Sequence, residues 1–285
     1  MLRRNAKELT HELKGHWYGS YGVAFCPAHK NSKTPALSIG CGKNGKLLLN
    51  CKAGCSYADV KRALLALDMY PDSATVSPDV RKNNGKSRIA RRIWEESDTV
   101  LGTAAERYLR TRGISCSIPD TLRFHPNCRH CSGKHYPALI ARLDGGSDFA
   151  IQRTFLSRCG QGKARVVTNR MMLGSCVGGA VHLSRGEGAL VIAEGIETGL
   201  SLRSGLLRDP IVVWAALSTS GMKSLSLPST PRKLIVAPDA DDPGMRAART
   251  LAEKAHRLGW AVQWFEPPEG KDWNDVLLER NENDG

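Results

Sequence analysis

The pattern of apolar and polar positions changes character near residue 189. Beyond it lie short continuous apolar runs, Ala189–Ala193 (ALVIA), Ile211–Ala215 (IVVWA) and Lys233–Ala237 (KLIVA), with Ala261–Phe265 as a fourth. Runs of this kind mark strands buried on both faces. The intervening segments have helical spacing, for example Gly244–Leu258. Buried strands alternating with helices predict a small α/β domain over 187–285 with a mainly parallel, four-stranded sheet.

Before residue 189 the apolar stretches are shorter and separated by turn residues. Ala138–Leu143, Phe149–Phe155 and Ala164–Val167 read as strands. Over 89–113, Ile89, Ile93, Val100, Leu101, Ala104, Tyr108 and Leu109 recur at three- and four-residue steps, as on a helix. Gly102-Thr103 divides this stretch into two helices, with Thr103 as an N-cap, Glu106 three positions on, and Gly113 at the stop. These features predict an α+β region over 89–186. Residues 71–88 are rich in Pro, Ser, Asn, Asp and basic residues and read as a linker. Residues 1–70 form the remaining block, with a β-like stretch and a helix over Tyr57–Leu67. The expected fold is therefore mixed α/β: a small β-rich domain, a linker, an α+β region and an α/β domain.

Composition adds a polarity to this layout. The 285 residues carry a net charge of +13. Residues 1–170 hold 29 Lys+Arg against 13 Asp+Glu, a net +16; residues 171–285 hold 12 against 15, a net −3. A basic front half suits a polyanion, and an acidic back half suits chemistry with carboxylates. No apolar run approaches the roughly 18 residues of a membrane span, and Met1–Thr10 has no apolar core of a secretory signal. A cytoplasmic protein without membrane partners is expected.

The nine cysteines are odd in number, and several are closely paired, which favours metal ligands over disulfides. Cys26-x2-His29 and Cys51-x3-Cys55 flank a β-like stretch (Ala36–Ile39, Lys46–Asn50), with Pro27 and Gly54 placing each pair on a turn. Two such pairs suit a tetrahedral Zn2+ site of Cys3His type. Cys41 is a spare thiol without a close partner. His125, Cys128, His130, Cys131 and His135 form a second cluster, read either as a second zinc site on Cys128 and Cys131 or as a polar loop. Trp17, Tyr18 and Tyr21, beside the first ligands, suit base stacking or packing under the module.

The carboxylates concentrate elsewhere. Glu194 directly follows ALVIA; Asp239 and Asp241 closely follow KLIVA. In an open parallel sheet the crevice outside the strand C-termini is where sites form. Converging carboxylates repel unless a cation binds or a proton is shared, and hard oxygen donors point to Mg2+ or Mn2+. Asp272, Asn274 and Asp275 add polar groups after the last strand, and Asp242 suits a helix N-cap.

Together these motifs carry a resemblance. EG-x2-T (Glu194, Gly195, Thr198) followed by D-x-D-x2-G (Asp239, Asp241, Gly244) is similar to the Toprim domain of primases, topoisomerases and some nucleases. CPAH…TPALSI…G-x-L-x2-C-x-AGCS resembles the zinc-binding domain of bacterial and phage DNA primases, and GKDWNDVL the segment that closes the Toprim region in phage-type primases. GTAAERYLRTRGI, LRFHP and IQRTFLSRCGQGKA resemble the basic subdomain before Toprim. The resemblance implies a DNA primase of bacterial, phage or plasmid (mobile-element) type that makes short RNA primers from NTPs on a single-stranded DNA template. It implies zinc on Cys26, His29, Cys51 and Cys55 in a template-reading module, and Mg2+ on Glu194, Asp239 and Asp241. Glu194 is a ligand or acid/base group, Arg153 and Lys163 contact template or nucleotide phosphates, and Lys271 and Asp272 lie beside the metal. Two departures stand out: the second cysteine pair is C-x3-C, and Glu197 adds a carboxylate close to Glu194. The chain ends about ten residues after GKDWNDVL, so a replicative helicase is expected only as a separate partner. The alternatives are a Toprim nuclease, or a zinc-containing DNA-binding accessory protein without catalysis.

Overall fold

A computed structural model of the chain describes residues 5–19, 21–30, 34–42, 47–70, 82–207 and 210–283. The chain divides into two compact units, Met1–Lys82 and Asn83–Gly285. Among the described residues no helix is long and apolar enough to cross a membrane.

The first unit begins with α1 (Ala6–Glu12), whose start is a capping box: Asn5 Oδ1 accepts the Glu8 N–H, and Glu8 Oε2 accepts the Asn5 N–H. Four antiparallel strands follow in sequential order, β1 (His16–Trp17), β2 (Tyr21–Ala24), β3 (Leu37–Cys41) and β4 (Leu47–Cys51). Leu47, Leu49 and Cys51 alternate inward along β4. α2 (Tyr57–Ala66), capped by Ser56, buries Val60 and Leu64 in a core with Leu9, Leu37 and Ile39.

In the second unit α3 (Lys82–Glu95) begins earlier than expected. Residues 82–88 of the presumed linker are helical, while 71–81 lie outside the described residues. α4 (Ala104–Thr111) is capped by the Thr103 hydroxyl, which accepts the Ala105 N–H. Glu106 bonds the N–H of Gly102, one residue before the cap, so the expected box is shifted by one position. An antiparallel sheet follows: β5 (Leu122–Arg129), β6 (His135–Leu143), β7 (Ala150–Phe155) and β8 (Arg170–Gly174). The strand expected over Ala164–Val167 does not form. Lys163 makes a single bridge to Leu156 after the turn at 157–162, and Arg170–Gly174 pairs along β7 instead.

The last part is a five-stranded sheet. β9 (Val181–His182), β10 (Ala189–Ala193), β11 (Ile211–Ala215), β12 (Lys233–Ala237) and β13 (Ala261–Trp264) lie in the order β13-β12-β10-β11-β9. The four expected strands are mutually parallel; β9 is an additional antiparallel edge. It escaped the sequence pattern because two residues carry no periodicity. Helices connect the strands: α5 (Ile196–Ser201), continuing through a π turn at Leu202–Leu206, then α6 (Thr219–Ser224), α7 (Asp242–Arg257) and α8 (Trp273–Asn283). Along β10, Leu190 and Ile192 face a core with Leu234, Val236, Ala248 and Leu251. Val191 and Ala193 face another that also holds Tyr108, Leu109, Leu139 and Leu277. That second core joins α4, the antiparallel sheet and the parallel sheet, so the α+β and α/β regions pack as one body. Each fully buried Leu, Ile or Val stabilises it by about 2 kcal/mol.

Candidate active site

β10 and β12 are adjacent and in register, Ala193 opposite Ala237, so the residues after them emerge side by side. Glu194 leaves β10, and Asp239 and Asp241 leave β12. Asp239 Oδ1 accepts the Thr198 hydroxyl at 3.1 Å. Asp241, rather than Asp242, is the N-cap of α7: its Oδ1 accepts the Gly244 N–H at 2.7 Å. Gly244 is required there. A Cβ at that position would lie 2.8 Å from Asp241 Oδ1, 2.9 Å from the Asp239 carbonyl and 3.1 Å from Glu194 Oε2.

Glu194 Oε2 is buried without a hydrogen-bond partner. Burial, then the charges of Asp239 and Asp241, push its carboxyl up to about 7, against the opposing pull of Arg170. Burial also raises Asp239, helped by Asp241 and Asp272 and opposed by the Thr198 hydroxyl and Arg170. Carboxylate oxygens are the hard donors that suit Mg2+ or Mn2+, and the orphaned Glu194 oxygen is one that a cation could satisfy, but among the described residues the three acids are not drawn into a metal-holding group as the Cys3His set is. Behind it Leu217, held at φ +69°, donates its N–H to the Glu194 carbonyl at 2.7 Å.

Glu197, one position into α5, is also buried but behaves in the opposite way. Burial would raise its carboxyl, yet Lys163, Arg170 and the Tyr108 hydroxyl outweigh it and lower it to about 2. Lys163 Nζ lies 2.9 Å from Glu197 Oε1, and Tyr108 donates to the same oxygen at 2.6 Å. Lys163 is thus committed to an internal ion pair. Arg153 is only 8% exposed; its Nη1 donates to the Arg129 carbonyl at 3.2 Å. Arg170, at the start of β8, was not singled out in the sequence because no motif marks it. It is exposed, its side chain has no hydrogen-bond or ion-pair partner among the described residues, and its charge is felt at Glu194, Glu197 and Asp239.

The closing segment is mostly structural. Asp272 and Asp275 cap α8 reciprocally, and Asp272 also acts electrostatically on Asp239. Lys271 pairs with Glu279 at 2.6 Å. Buried Asn274 donates to the Arg112 carbonyl and to Ser201 Oγ, tying α8 to α4 and α5.

In the first unit Cys26, His29, Cys51 and Cys55 bring their ligand atoms within 4.8 Å of one another. His29 Nδ1 lies 3.1 Å from Cys55 Sγ. Three thiols and an imidazole at these separations match a tetrahedral zinc site. Cys41 ends β3 and is not part of the group. Among the described residues this is the only such group, and the alternative site on Cys128 and Cys131 is not assembled. Cys128 is buried in the core behind the antiparallel sheet, whereas Cys131 lies against the His130 ring. His130 is held by Ser132 and the Thr168 carbonyl. Trp17 packs against the core of the first unit, and Tyr18 sits between His16 and Tyr21.

A family model described as a Toprim domain matches residues 189–283. Residues 189–283 are a Toprim domain. The expected pairing of a C-terminal Toprim domain with a Cys3His group in a small β-rich unit is therefore present. A second family model, described as a domain of unknown function (DUF7146), matches residues 84–183, which include α4, Arg153 and Lys163. No curated protein sequence matches the chain. Among solved structures, the chain is similar to the Aquifex aeolicus primase (zinc binding and RNA polymerase domains), at 16% identity over 97% of this chain and 80% of that one, with a TM-score of 0.44. A DNA primase domain from Pseudomonas aeruginosa is matched at 16% identity over 68% and 74%, with a TM-score of 0.44. The primase fragment of the bacteriophage T7 primase-helicase protein is matched at 18% identity over 51% and 63%, with a TM-score of 0.33.

Proposed function

We propose that this chain is a DNA primase that joins ribonucleotides into short primers on single-stranded DNA. The observation that carries the reading is Glu194: a buried carboxyl with an unpartnered oxygen, beside Asp239 and Asp241, at the C-terminal ends of adjacent strands of a Toprim domain. The Cys3His group and the order of the motifs support a primase over other Toprim proteins. In this reading a ribonucleotide 3′-OH attacks the α-phosphate of the next nucleotide and pyrophosphate leaves.

Glu194, Asp239 and Asp241 would hold Mg2+ or Mn2+, which when bound supplies Lewis-acid activation of the attacking hydroxyl and neutralises charge on the leaving phosphates. The protein's own contributions follow from the geometry. Burial and two acidic neighbours make the ionised form of Glu194 depend on a compensating cation, which ties its charge to occupation of the site. Thr198 orients Asp239, and the N-cap bond orients Asp241. Because Lys163 and Arg153 are engaged inside the protein, exposed Arg170 is assigned to the nucleotide phosphates. The basic residues of the front half hold the template backbone with salt-sensitive affinity. Zinc on Cys26, His29, Cys51 and Cys55 holds the template-reading module in shape.

The test is synthesis on random single-stranded DNA with Mg2+ and four NTPs, with sequencing of the products and a chelator control. Short RNA that depends on template and metal is expected. Metal-dependent cutting of DNA without NTPs would overturn the reading in favour of a nuclease. DNA binding without turnover or metal dependence would overturn it in favour of an accessory protein.

A further inference from the structure

Glu197 lies one helical turn from the carboxylate corner, yet its ion-pair and hydrogen-bond partners come from the region before the Toprim domain. Tyr108 is on α4, and Lys163 follows the turn at 157–162. These two pieces form one block. Arg107 Nε donates to the Cys159 carbonyl at 3.1 Å, and Gly160, at φ +75°, comes so close that a Cβ there would lie 2.5 Å from the Ala104 carbonyl oxygen. Ala104, Arg107 and Tyr108 have the spacing of one helix face. The block therefore carries two donors, both converging on Glu197 Oε1. The other oxygen, Oε2, lies on the Gly195 side, 3.9 Å from the position a Cβ would take there; Thr198 Oγ1, which holds Asp239, is 3.4 Å from that position.

We propose that Glu197, Lys163 and Tyr108 form a buried positioning clamp that locks α4 and the 157–163 turn onto the first turn of α5, and thereby sets the geometry of Glu194 and Thr198 beside it. None of the three touches substrate. Lys163 works by holding Glu197 rather than by reaching a phosphate. The kinetic arm of the test rests on the primase reading; the binding arm does not.

The experiment is a double-mutant cycle in the full chain with Lys163→Met, Glu197→Gln and both together. Three quantities are read: Tm, Mn2+ affinity by electron paramagnetic resonance, and kcat and NTP KM for primer synthesis. Lys163→Met strands a buried carboxylate, so Tm should fall by about 5 °C or more. Misplacing α5 should weaken Mn2+ binding about fivefold and lower kcat about tenfold, with NTP KM within about twofold of wild type. The neutral pair removes the stranded charge and should bring Tm, Mn2+ affinity and kcat back to within about threefold or a few degrees of wild type.

Recovery of Tm without recovery of kcat, with NTP KM raised about tenfold, would put Lys163 on the phosphates and overturn the clamp. A fall in Tm with Mn2+ affinity and kcat untouched would make the pair merely structural and overturn it too. Should Lys163→Met fail to fold, Tyr108→Phe keeps the ion pair and removes one hydrogen bond. It should lower kcat about threefold and Mn2+ affinity about twofold, with NTP KM unchanged; no change in either overturns the proposal. A wild-type protein that makes no primers sinks the primase reading alone, because the Mn2+ cycle still decides the clamp.

Discussion

In the N-terminal unit four soft donors from two turns point at one another, all within 4.8 Å. At the ends of β10 and β12 three carboxylates share a field, and each already meets a protein donor: Thr198 on Asp239, the Gly244 N–H on Asp241 and the Thr219 N–H on Glu194, whose Oε2 stays unpartnered. The first arrangement is a closed cage and leaves no position for a substrate. The second would leave most of a bound cation's coordination to groups from outside the protein. Without a cation both are frustrated. Burial, with Cys51 and Cys55 adding to it against the Ala28 N–H, pushes the Cys26 thiol up to about 12. Burial and two acids push Glu194 up to about 7. The cage stores its frustration where the fold of a small domain depends on it. The open corner stores it at the C-terminal ends of two adjacent parallel strands.

The largest effect expected from this contrast is on the cage. Removing zinc with a strong chelator, or replacing Cys55 by Ser, withdraws about 10 kcal/mol or more of binding free energy from a small core. Limited proteolysis of the full chain should then degrade Met1–Lys82 while Asn83–Gly285 stays resistant. A protease pattern indifferent to chelation would show that the four side chains hold no structural metal.

The open corner should respond in activity rather than in folding. Asp239→Asn or Glu194→Gln should lower primer synthesis about 100-fold or more, while Tm measured without divalent cation stays level or rises, because repulsion is removed. A drop of Tm with activity retained would reverse the assignment of the two sites. Gly244→Ala pushes a methyl group against the Asp241 and Glu194 carboxylates and the Asp239 carbonyl and should cost about 2 kcal/mol, read as a lower denaturation midpoint together with weaker Mn2+ binding.

The smallest effect is in pH dependence. A carboxyl raised from the ordinary 4.5 to about 7 contributes stability that is present at low pH and is lost as pH rises through 7. A cation that relieves the ionised form should therefore raise Tm more at pH 8 than at pH 5.5, by about 3 °C. Equal shifts at the two pH values, measured by calorimetry with and without Mg2+, would remove Glu194 from the cation site.

Much of the framework is legible in the order of residues. Ala189–Ala193, Ile211–Ala215 and Lys233–Ala237 are strands with the predicted bounds, because runs of four or five consecutive apolar residues suit strands buried on both faces of a sheet. The Cys3His group is legible from its paired spacing, since turns impose it locally. β8 is not. Arg170–Gly174 is partly exposed, its Met171, Met172 and Leu173 show no polar–apolar alternation in sequence, and its pairing with β7 is a long-range choice that Ala164–Val167 did not win. The second cysteine cluster suggests more than it delivers: Cys128 alternates into a core, so neighbours in sequence point to different surroundings.

Local order along the chain is enough to dictate the buried strands, the metal-type spacing and which acids follow which strand, because each depends on short-range periodicity and residue chemistry. How those acids and the basic residues are used is a product of packing. Glu194 and Glu197, three residues apart, end with opposite shifts because one meets Asp239 and Asp241 across the sheet and the other meets Lys163 and Tyr108 from α4 and its neighbouring turn. Lys163 and Arg153 were turned inward, and Arg170 was left at the site, by the same packing of the two sheets into one core. Charge acts through space and over a few ångströms, and that neighbourhood is set by the fold rather than by position along the chain.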